Sequence, residues 1–286
     1  MFQIGDFRIH LINDATIKAD PGGPFGLVPR TLWSLLMPPD ENNLVSMNHN
    51  CLLVQVGGRN IVVDTGFGDK LTDKQKAFMD LQRPQGSLPD ALARLGLSPA
   101  DIHLVIDTHL HSDHSGGNTR YDASGNIVST FPNAEYFVQR REYEDAMCPN
   151  ERTRATYFPI NYQLLFESGQ MRLLDGDTLI APGIWGHVTR GHTPAHMSIR
   201  FESNNQHALF VCDMASYALH FERLGWMTAY DVEPLETMES KRHWQKWALE
   251  TGALLIFPHD PLRPAGHFVT SSMGKGEVKP VSEPYV

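Results

Sequence analysis

Hydrophobic and polar positions alternate at the start of the chain and predict an opening β-strand at residues 7–12. Two apolar runs, residues 51–56 and 60–64, are separated by Gly57-Gly58-Arg59, which is typical of a β-hairpin. Residues 102–106 are a short apolar run rich in β-branched side chains, which indicates a buried strand. The first half of the chain is therefore expected to be rich in strands.

Helical patterns lie between and after these strands. Residues 87–96 have proline in the first turn and glycine at the end, which predicts a short amphipathic helix. Residues 140–147 and 161–168 are further predicted helices, and residues 236–251 form the clearest one, which ends at Gly252. Its expected core contacts are Trp244, Trp247 and Ala248.

A second series of predicted strands opens at residues 171–174 and 178–181, after a single strand at 135–138. Because this series repeats the first in outline, we predict an α/β fold, a four-layer αββα sandwich in which two mixed β-sheets are flanked by helices. The tail after His267 is polar with several glycines and prolines, and we expect it to pack across the surface or to fray.

Composition narrows the class of protein. A chain of 286 residues with 41% hydrophobic and 20% charged residues is typical of a globular protein, and we expect residues 1–286 to form a single domain. The net charge of −9 and the lack of a basic run argue against nucleic-acid partners. With neither a basic leader nor about 18 consecutive apolar residues, we expect no membrane association and a cytoplasmic location. The three scattered cysteines are expected to be small buried hydrophobes.

The densest group of polar residues follows the strand at 102–106, where His109, His111, Asp113 and His114 fall within six positions. Imidazole and carboxylate are ligands that zinc and its first-row neighbours accept when no thiolate is offered. A chain with fourteen histidines can cluster two of them by chance, but four candidate ligands at a strand end otherwise lack a stabilising reason. This segment therefore predicts a metal site.

At these residues the sequence resembles the metallo-β-lactamase fold superfamily of metallohydrolases, whose signature is His-x-His-x-Asp-His. The resemblance extends to three later segments, which are Gly191-His192-Thr193-Pro194-Ala195-His196, Phe210-Val211-Cys212-Asp213 and Ile256-Phe257-Pro258-His259. It implies two divalent ions, with zinc as the first choice and Mn, Fe or Co as alternatives. The implied ligands are His109, His111 and His192 for one ion, Asp113, His114 and His259 for the other, and Asp213 as the bridge.

The same resemblance gives roles to residues near the ligands. It places Asp64 behind them, where its carboxylate orients a ligand histidine through the free ring N–H, although a turn-forming Asp-Thr-Gly is the alternative. His196 is either a similar supporting group or a turn residue. Two ions roughly 3.5–4 Å apart hold a hydroxide as the nucleophile, and Asp113 is expected to protonate the leaving alkoxide as well as to bind metal.

The layout is most similar to the lactonase branch, which includes quorum-quenching acyl-homoserine lactonases and organophosphate-hydrolysing relatives. That branch commonly has a tyrosine shortly after the bridging aspartate, so Tyr217 or His220 is predicted to be an oxyanion donor. We expect a hydrolase that opens a lactone or cleaves a related ester, with a small-molecule substrate and a homodimer as its candidate assembly. A phosphotriesterase, a thioesterase and a non-hydrolytic iron-binding redox or sensor protein are the alternatives.

Residues 20–40 combine proline and glycine with isolated large apolar side chains. The segment is too irregular for a strand, and two interpretations stay open. It is a surface loop tucked onto the core, or it is a flexible lid in which Phe25, Trp33 and Met37 line a hydrophobic substrate pocket.

Overall fold

The structure, a computed structural model, describes residues 1–282 and Tyr285. Its strands are β1 (Phe2–Ile4), β2 (Phe7–Ala19), β3 (Val45–Val56), β4 (Arg59–Val63), β5 (Leu104–Ile106), β6 (Thr119–Tyr121), β7 (Ile127–Ser129), β8 (Glu135–Gln139), β9 (Met171–Leu174), β10 (Thr178–Ala181), β11 (Ile184–Val188), β12 (Met197–Ser203), β13 (Gln206–Phe210), β14 (Leu254–Ile256), β15 (Ala265–Thr270) and β16 (Gly276–Pro280). Its α-helices are α1 (Gly22–Phe25), α2 (Arg30–Trp33), α3 (Asp73–Phe78), α4 (Leu88–Arg94), α5 (Ser112–Ser115), α6 (Arg140–Met147), α7 (Gln163–Glu167), α8 (Ala218–Glu222) and α9 (Pro234–Thr251).

The large strands form two seven-stranded sheets, ordered β1-β2-β3-β4-β5-β8-β9 and β10-β11-β12-β13-β14-β15-β16. Both sheets are mixed, because β4, β5, β8 and β9 run parallel in the first and β13 and β14 run parallel in the second. The predicted hairpin joins β3 to β4 through Gly57 and Gly58, whose φ angles of 55° and 78° are ones that glycine adopts without a Cβ penalty.

Three apolar clusters show how the layers pack. One lies between the sheets and joins side chains such as Leu52 and Ile106 of the first sheet to Phe210 and Ile256 of the second. Another buries α4, α6 and α7 against the outer face of the first sheet, and a third buries α8 and α9 against the outer face of the second. Helices therefore cover both outer faces, and the prediction of a four-layer αββα sandwich is confirmed.

The outer helices follow their sequence patterns closely. Ser87 caps α4 and forms a reciprocal capping box with Asp90, which satisfies backbone donors at the start of the helix. Helix α9 ends at Gly252, whose φ of 63° makes a left-handed cap. Trp244 and Ala248 of α9 are buried as predicted, and Trp247 is partly buried against the same cluster.

Two predictions about the sheets were wrong. The strand predicted at 171–174 does not open the second sheet, because β9 pairs in parallel with β8 and forms the edge of the first. The tail after His267 does not fray within the described residues, since β15 and β16 form an antiparallel hairpin at the edge of the second sheet. Of the three cysteines, Cys148 is exposed.

Strand direction brings the chemically interesting segments together. Because β4 and β5 run parallel, Asp64 and the segment after Ile106 leave the first sheet at the same edge. Because β13 and β14 run parallel, Asp213 and His259 leave the second sheet at one edge as well. None of the helices in the described part of the chain combines the length and apolar composition needed to cross a bilayer.

Candidate metal centre

The histidine-rich segment turns sharply after β5 and enters the single turn of α5. His111 precedes α5, and the Ser115 hydroxyl donates to the carbonyls of Leu110 and His111, which holds the turn closed. Gly116 is needed here because of close packing, since its φ is −59° and an added Cβ would overlap the carbonyl of Phe67. This tight contact fixes the turn against the loop that follows β4.

Four histidines surround one carboxylate oxygen, Oδ2 of Asp213. The distances from this oxygen to their Nε2 atoms are 3.2 Å for His114, 3.3 Å for His192, 3.4 Å for His259 and 3.7 Å for His109. All five residues are buried. Asp213 therefore lies where a carboxylate that bridges two ions is expected.

The outward nitrogens of three of these rings face acceptors that cannot donate a proton. The Nδ1 atoms lie 2.8 Å from Asp64 Oδ2 for His114, 3.0 Å from Asp231 Oδ1 for His192 and 2.6 Å from the Asn48 carbonyl for His259. These contacts hold a ring proton on each Nδ1, so Nε2 is the nitrogen of each ring that can give a lone pair to a cation beside Asp213. Lone pairs that converge in a buried space are the arrangement that a cation requires.

His109 adds an independent indication. Its side chain is fully buried, and its Nε2 atom has no hydrogen-bond partner among the described residues. The His111 and His192 rings approach it, with 3.1 Å between His111 Nδ1 and His192 Nε2. Burial of an unpaired polar nitrogen is costly unless something absent from the protein chain binds it. The donor set therefore fits divalent ions that prefer nitrogen and oxygen ligands.

Asp113 faces a second side of the centre. Its Oδ2 atom lies 3.4 Å from His49 Nε2, 3.5 Å from His114 Nε2 and 3.7 Å from His259 Nε2. Burial alone would raise the pKa of Asp113, but His114 and His49 outweigh it and hold the pKa below its ordinary value. Both Asp113 and Asp213 are thus anionic, because burial of Asp213 is likewise outweighed by His259 and His192.

The histidines of the centre differ in the direction of their pKa shifts. Burial lowers the pKa of His49 to about 4 and that of His111 to about 3, so both rings are neutral at pH 7. Burial also lowers the pKa of His192, but Asp213 and Asp231 outweigh it and leave the pKa raised. A cation at the centre would displace a proton from such a ring, so its binding strengthens as pH rises.

The structure brings all seven predicted ligands together. The groups whose ligand atoms lie within 4.8 Å of one another include His109 with His111 and His192, and His109 with His114 and Asp213. Asp64 Oδ2 lies 2.8 Å from His114 Nδ1, and Asp64 Oδ1 accepts from the backbone N–H of Thr108 at 2.8 Å. His196 supports the site through its Nε2, which accepts from the backbone N–H of Asp213 at 3.0 Å.

Two predicted substrate contacts do not reach the centre. Tyr217 is buried, its ring is stacked on Phe25, and its hydroxyl lies 3.5 Å from the carbonyl of Ser46. His220 is also buried, edge-on to Tyr217 at 5.2 Å. Both were wrong as oxyanion donors in this structure, because the backbone after Asp213 turns these side chains into the core while Ser216 bonds Asp213 Oδ1 at 2.8 Å.

The flexible-lid interpretation of Phe25, Trp33 and Met37 was also wrong. The three side chains are at most 4% exposed and pack in one apolar cluster, with the Phe25 and Trp33 rings stacked 5.0 Å apart. The alternative of a loop tucked onto the core describes them correctly. Neighbouring residues of the same segment line an open groove of about 720 Å³ instead, together with residues 225–229, Asp231, Pro234 and Leu235.

A depression of about 170 Å³ is lined by four of the predicted metal ligands. Beside His111, Asp113, His192 and Asp213, its walls are Ile17, Met47, His49, Phe67, Thr156, Ser216 and Tyr230. His49, Tyr230 and Asp231 were not predicted from the sequence. His49 lies between two asparagines just before the predicted strand at 51–56, and the other two lie in an irregular segment before α9, so no local motif marked them.

Comparisons with known proteins agree with this geometry. The model of the metallo-beta-lactamase superfamily matches residues 46–250. An N-acyl homoserine lactonase of Bacillus cereus is 26% identical over 251 residues, which cover 84% of this chain and 91% of that protein.

Among solved structures, a probable metal-dependent hydrolase from Staphylococcus aureus is similar over 100% of both chains, with a TM-score of 0.88 and 29% identity. The dizinc quorum-quenching lactonase AidC, solved with the product N-hexanoyl-L-homoserine, has a TM-score of 0.79 and 20% identity. That similarity covers 99% of this chain and 97% of AidC, and it indicates a shared fold.

Proposed function

The chain belongs to the metallo-beta-lactamase superfamily and is a metal-dependent hydrolase, and we propose that it holds two divalent ions, zinc in first place, to open a lactone or cleave a related carboxylic ester. The observation that carries this proposal is the convergence of four Nε2 atoms on one oxygen of Asp213. A single ion does not need a carboxylate in this central position, whereas two ions share it naturally.

The proposed ligands form two sets around Asp213. His109, His111 and His192 make one side of the centre, and Asp113, His114 and His259 make the other. When bound, the two ions supply a hydroxide nucleophile at neutral pH and polarise the substrate carbonyl. The protein fixes the geometry through Asp64 and Asp231, which hold the outer nitrogens of His114 and His192.

Asp113 is proposed to manage the proton of the leaving group. Its Oδ2 atom faces three histidine nitrogens, while the residue also lines the depression. This leaves Oδ1 to take up the proton that the nucleophilic water gives up as it adds to the carbonyl, and to pass that proton to the departing alkoxide, whose conjugate acid has a pKa far above neutral. Asp113 thereby both binds metal and acts as general acid.

Tyr230, rather than Tyr217, is proposed to contact the substrate carbonyl. It lines the depression, and its hydroxyl packs against Gly23, where an added Cβ would overlap the phenol oxygen. Tyr230 is 43% exposed, but partial desolvation of its ring, followed by the charges of Asp113 and Asp213, raises its pKa to about 12, so the phenol keeps its proton at neutral pH. A protonated phenol beside the reacting carbonyl donates a hydrogen bond to the developing oxyanion.

The larger groove is proposed to receive the apolar part of the substrate. Tyr230 of the depression is flanked in sequence by Ala229 and Asp231 of the groove, so the two spaces adjoin at this segment. Leu27 and Leu235 line the groove and are exposed, so they present apolar surface to solvent. An acyl chain attached to a lactone or ester matches that surface.

The proposal is tested with a substrate panel. Protein loaded with zinc, and the same protein stripped by a chelator, are assayed on lactones, alkyl esters, thioesters and phosphotriesters. We expect metal-dependent turnover that is fastest on lactones or carboxylic esters. Faster turnover of a phosphotriester or thioester would transfer the assignment to that class, and turnover that survives chelation would overturn the metal mechanism.

A further inference from the structure

His49 is the one side chain in the depression whose imidazole is left without a hydrogen bond in the described structure. It lies on β3, is 2% exposed, and has no hydrogen-bond partner for Nδ1 or Nε2 among the described residues. Its ring packs on Phe67 at 4.4 Å and meets the His259 ring edge-on at 4.8 Å. An imidazole buried in this way is costly unless a missing group binds one of its nitrogens.

The backbone around His49 is held so that the ring reaches the metal centre. Pairing of β2 with β3 shifts register between Asn13 and Ala15, opposite Asn50 and His49, and such bulges re-aim side chains near functional sites. The Asn13 side chain accepts from the His49 N–H at 3.1 Å. On the other edge, the N–H of Asn48 donates to the His259 carbonyl at 3.1 Å, so β3 and the His259 loop are joined directly.

The distances around His49 match those among atoms that share one ion. Asp113 Oδ2 lies 3.4 Å from His49 Nε2 and 3.7 Å from His259 Nε2. His259 Nε2 in turn lies 3.2 Å from His114 Nε2. With Asp213 as the bridge, His49 would be a fifth protein ligand, and ligand atoms bound at about 2.0–2.2 Å to a five-coordinate ion are separated from their neighbours by roughly 2.8–3.8 Å. His49, Asp113 and His259 also form a group of potential ligands in their own right.

We propose that His49 is a further protein ligand, through Nε2, of the ion held by Asp113, His114 and His259. This inference rests on the proposed two-ion centre and adds a neutral nitrogen to only one of its two sides. His49 would tighten that ion relative to its neighbour and occupy a coordination position otherwise open to solvent. The alternative is that His49 binds no ion and only positions Asp113, whose Oδ2 lies 3.4 Å from His49 Nε2.

Three variants separate these possibilities. His49→Ala removes both the proposed ligand nitrogen and its contact with Asp113, whereas His49→Asn keeps a side-chain N–H beside Asp113. His10→Ala is the matched control, because His10 is a buried histidine on the neighbouring strand that bonds Gln55 instead. Each apoprotein is titrated with Zn²⁺ by calorimetry against a competing chelator, and its thermal unfolding without metal is recorded to check folding.

For the wild type and His10→Ala we expect two binding events. In His49→Ala and His49→Asn alike, we expect one event to weaken by at least about 100-fold and the other to stay unchanged, since loss of a ligand exceeds the effect of losing a supporting contact. If the affinity of that event falls by less than about 100-fold in His49→Ala, or returns to the wild-type value in His49→Asn, the ligand role is overturned while the two-ion centre stands. A wild type that binds one ion overturns the centre and the His49 proposal together.

Discussion

Replacing Asp231 tests whether the centre depends on carboxylates that hold the outer histidine nitrogens. Asp231 Oδ1 accepts from His192 Nδ1 at 3.0 Å and from Thr228 at 2.7 Å, while Oδ2 accepts from Thr237 at 2.8 Å. Asp231→Ala leaves the His192 ring free to turn and to exchange its tautomer. Loss of such a partner weakens metal binding by about 10–100-fold, or roughly 1.4–2.8 kcal/mol. The unpaired buried donors cost about 1–3 kcal/mol each in folding free energy.

Two controls make this prediction specific. In Asp231→Asn the amide oxygen can still accept from His192 while the amide nitrogen faces Thr237, so we expect less than half of the loss in binding free energy. Asp177→Ala removes a carboxylate that lies 2.8 Å from His187 but is exposed and distant in sequence from the ligands, so metal binding should not change. Competition titration with a chromophoric chelator measures all three variants. Wild-type affinity in a folded Asp231→Ala protein would refute the orienting role.

Three further predictions follow from the site and its surroundings. Asp113→Asn with its metal retained should slow an alkyl lactone by about 10²–10⁴ yet spare a nitrophenyl ester, and equal slowing of both substrates would reduce Asp113 to a ligand. Phe25→Ala should lower the free energy of unfolding by about 3–5 kcal/mol in denaturant titrations without changing the preference for acyl-chain length. Unchanged stability with an altered acyl-length preference would support the lid interpretation instead. Leu235→Ala should raise KM for long-acyl substrates by about tenfold and leave short ones unchanged; equal effects on both would place the acyl chain elsewhere.

The sequence predicted features that depend on neighbours along the chain. Helix α6 spans the predicted residues 140–147, and the Gly57-Gly58 hairpin forms as expected, because periodicity and turn chemistry act locally. Strand β9 was predicted to belong to the second sheet, but it pairs with β8 of the first. The sequence of a strand does not by itself determine which strand it pairs with. The β16 hairpin was missed because an edge strand is largely solvated and its polar sequence is typical of a loop.

The residues of the candidate site likewise fall into those that local motifs predict and those that only tertiary contacts reveal. The seven predicted ligands come from short motifs at strand ends, and the structure brings them together. Tyr217 shows the limit of motif reasoning. Its neighbour Ser216 bonds Asp213 at the centre, whereas the Tyr217 side chain itself is buried in the core. His49 and Asp231 become relevant only through tertiary contacts with Asp113 and His192, which no local spacing indicates. Their roles stay predictions, as does the single-domain organisation.

The most direct test of the two-ion centre is the metal content of protein purified without chelator, measured by elemental analysis for the wild type and for Asp213→Ala. Asp213 is the only residue whose carboxylate oxygen lies within 3.7 Å of all four of His109, His114, His192 and His259 in the described structure. We therefore expect about two equivalents in the wild type and at most about one in the variant. A wild type with a single tightly bound ion, retained unchanged in Asp213→Ala, would contradict the account.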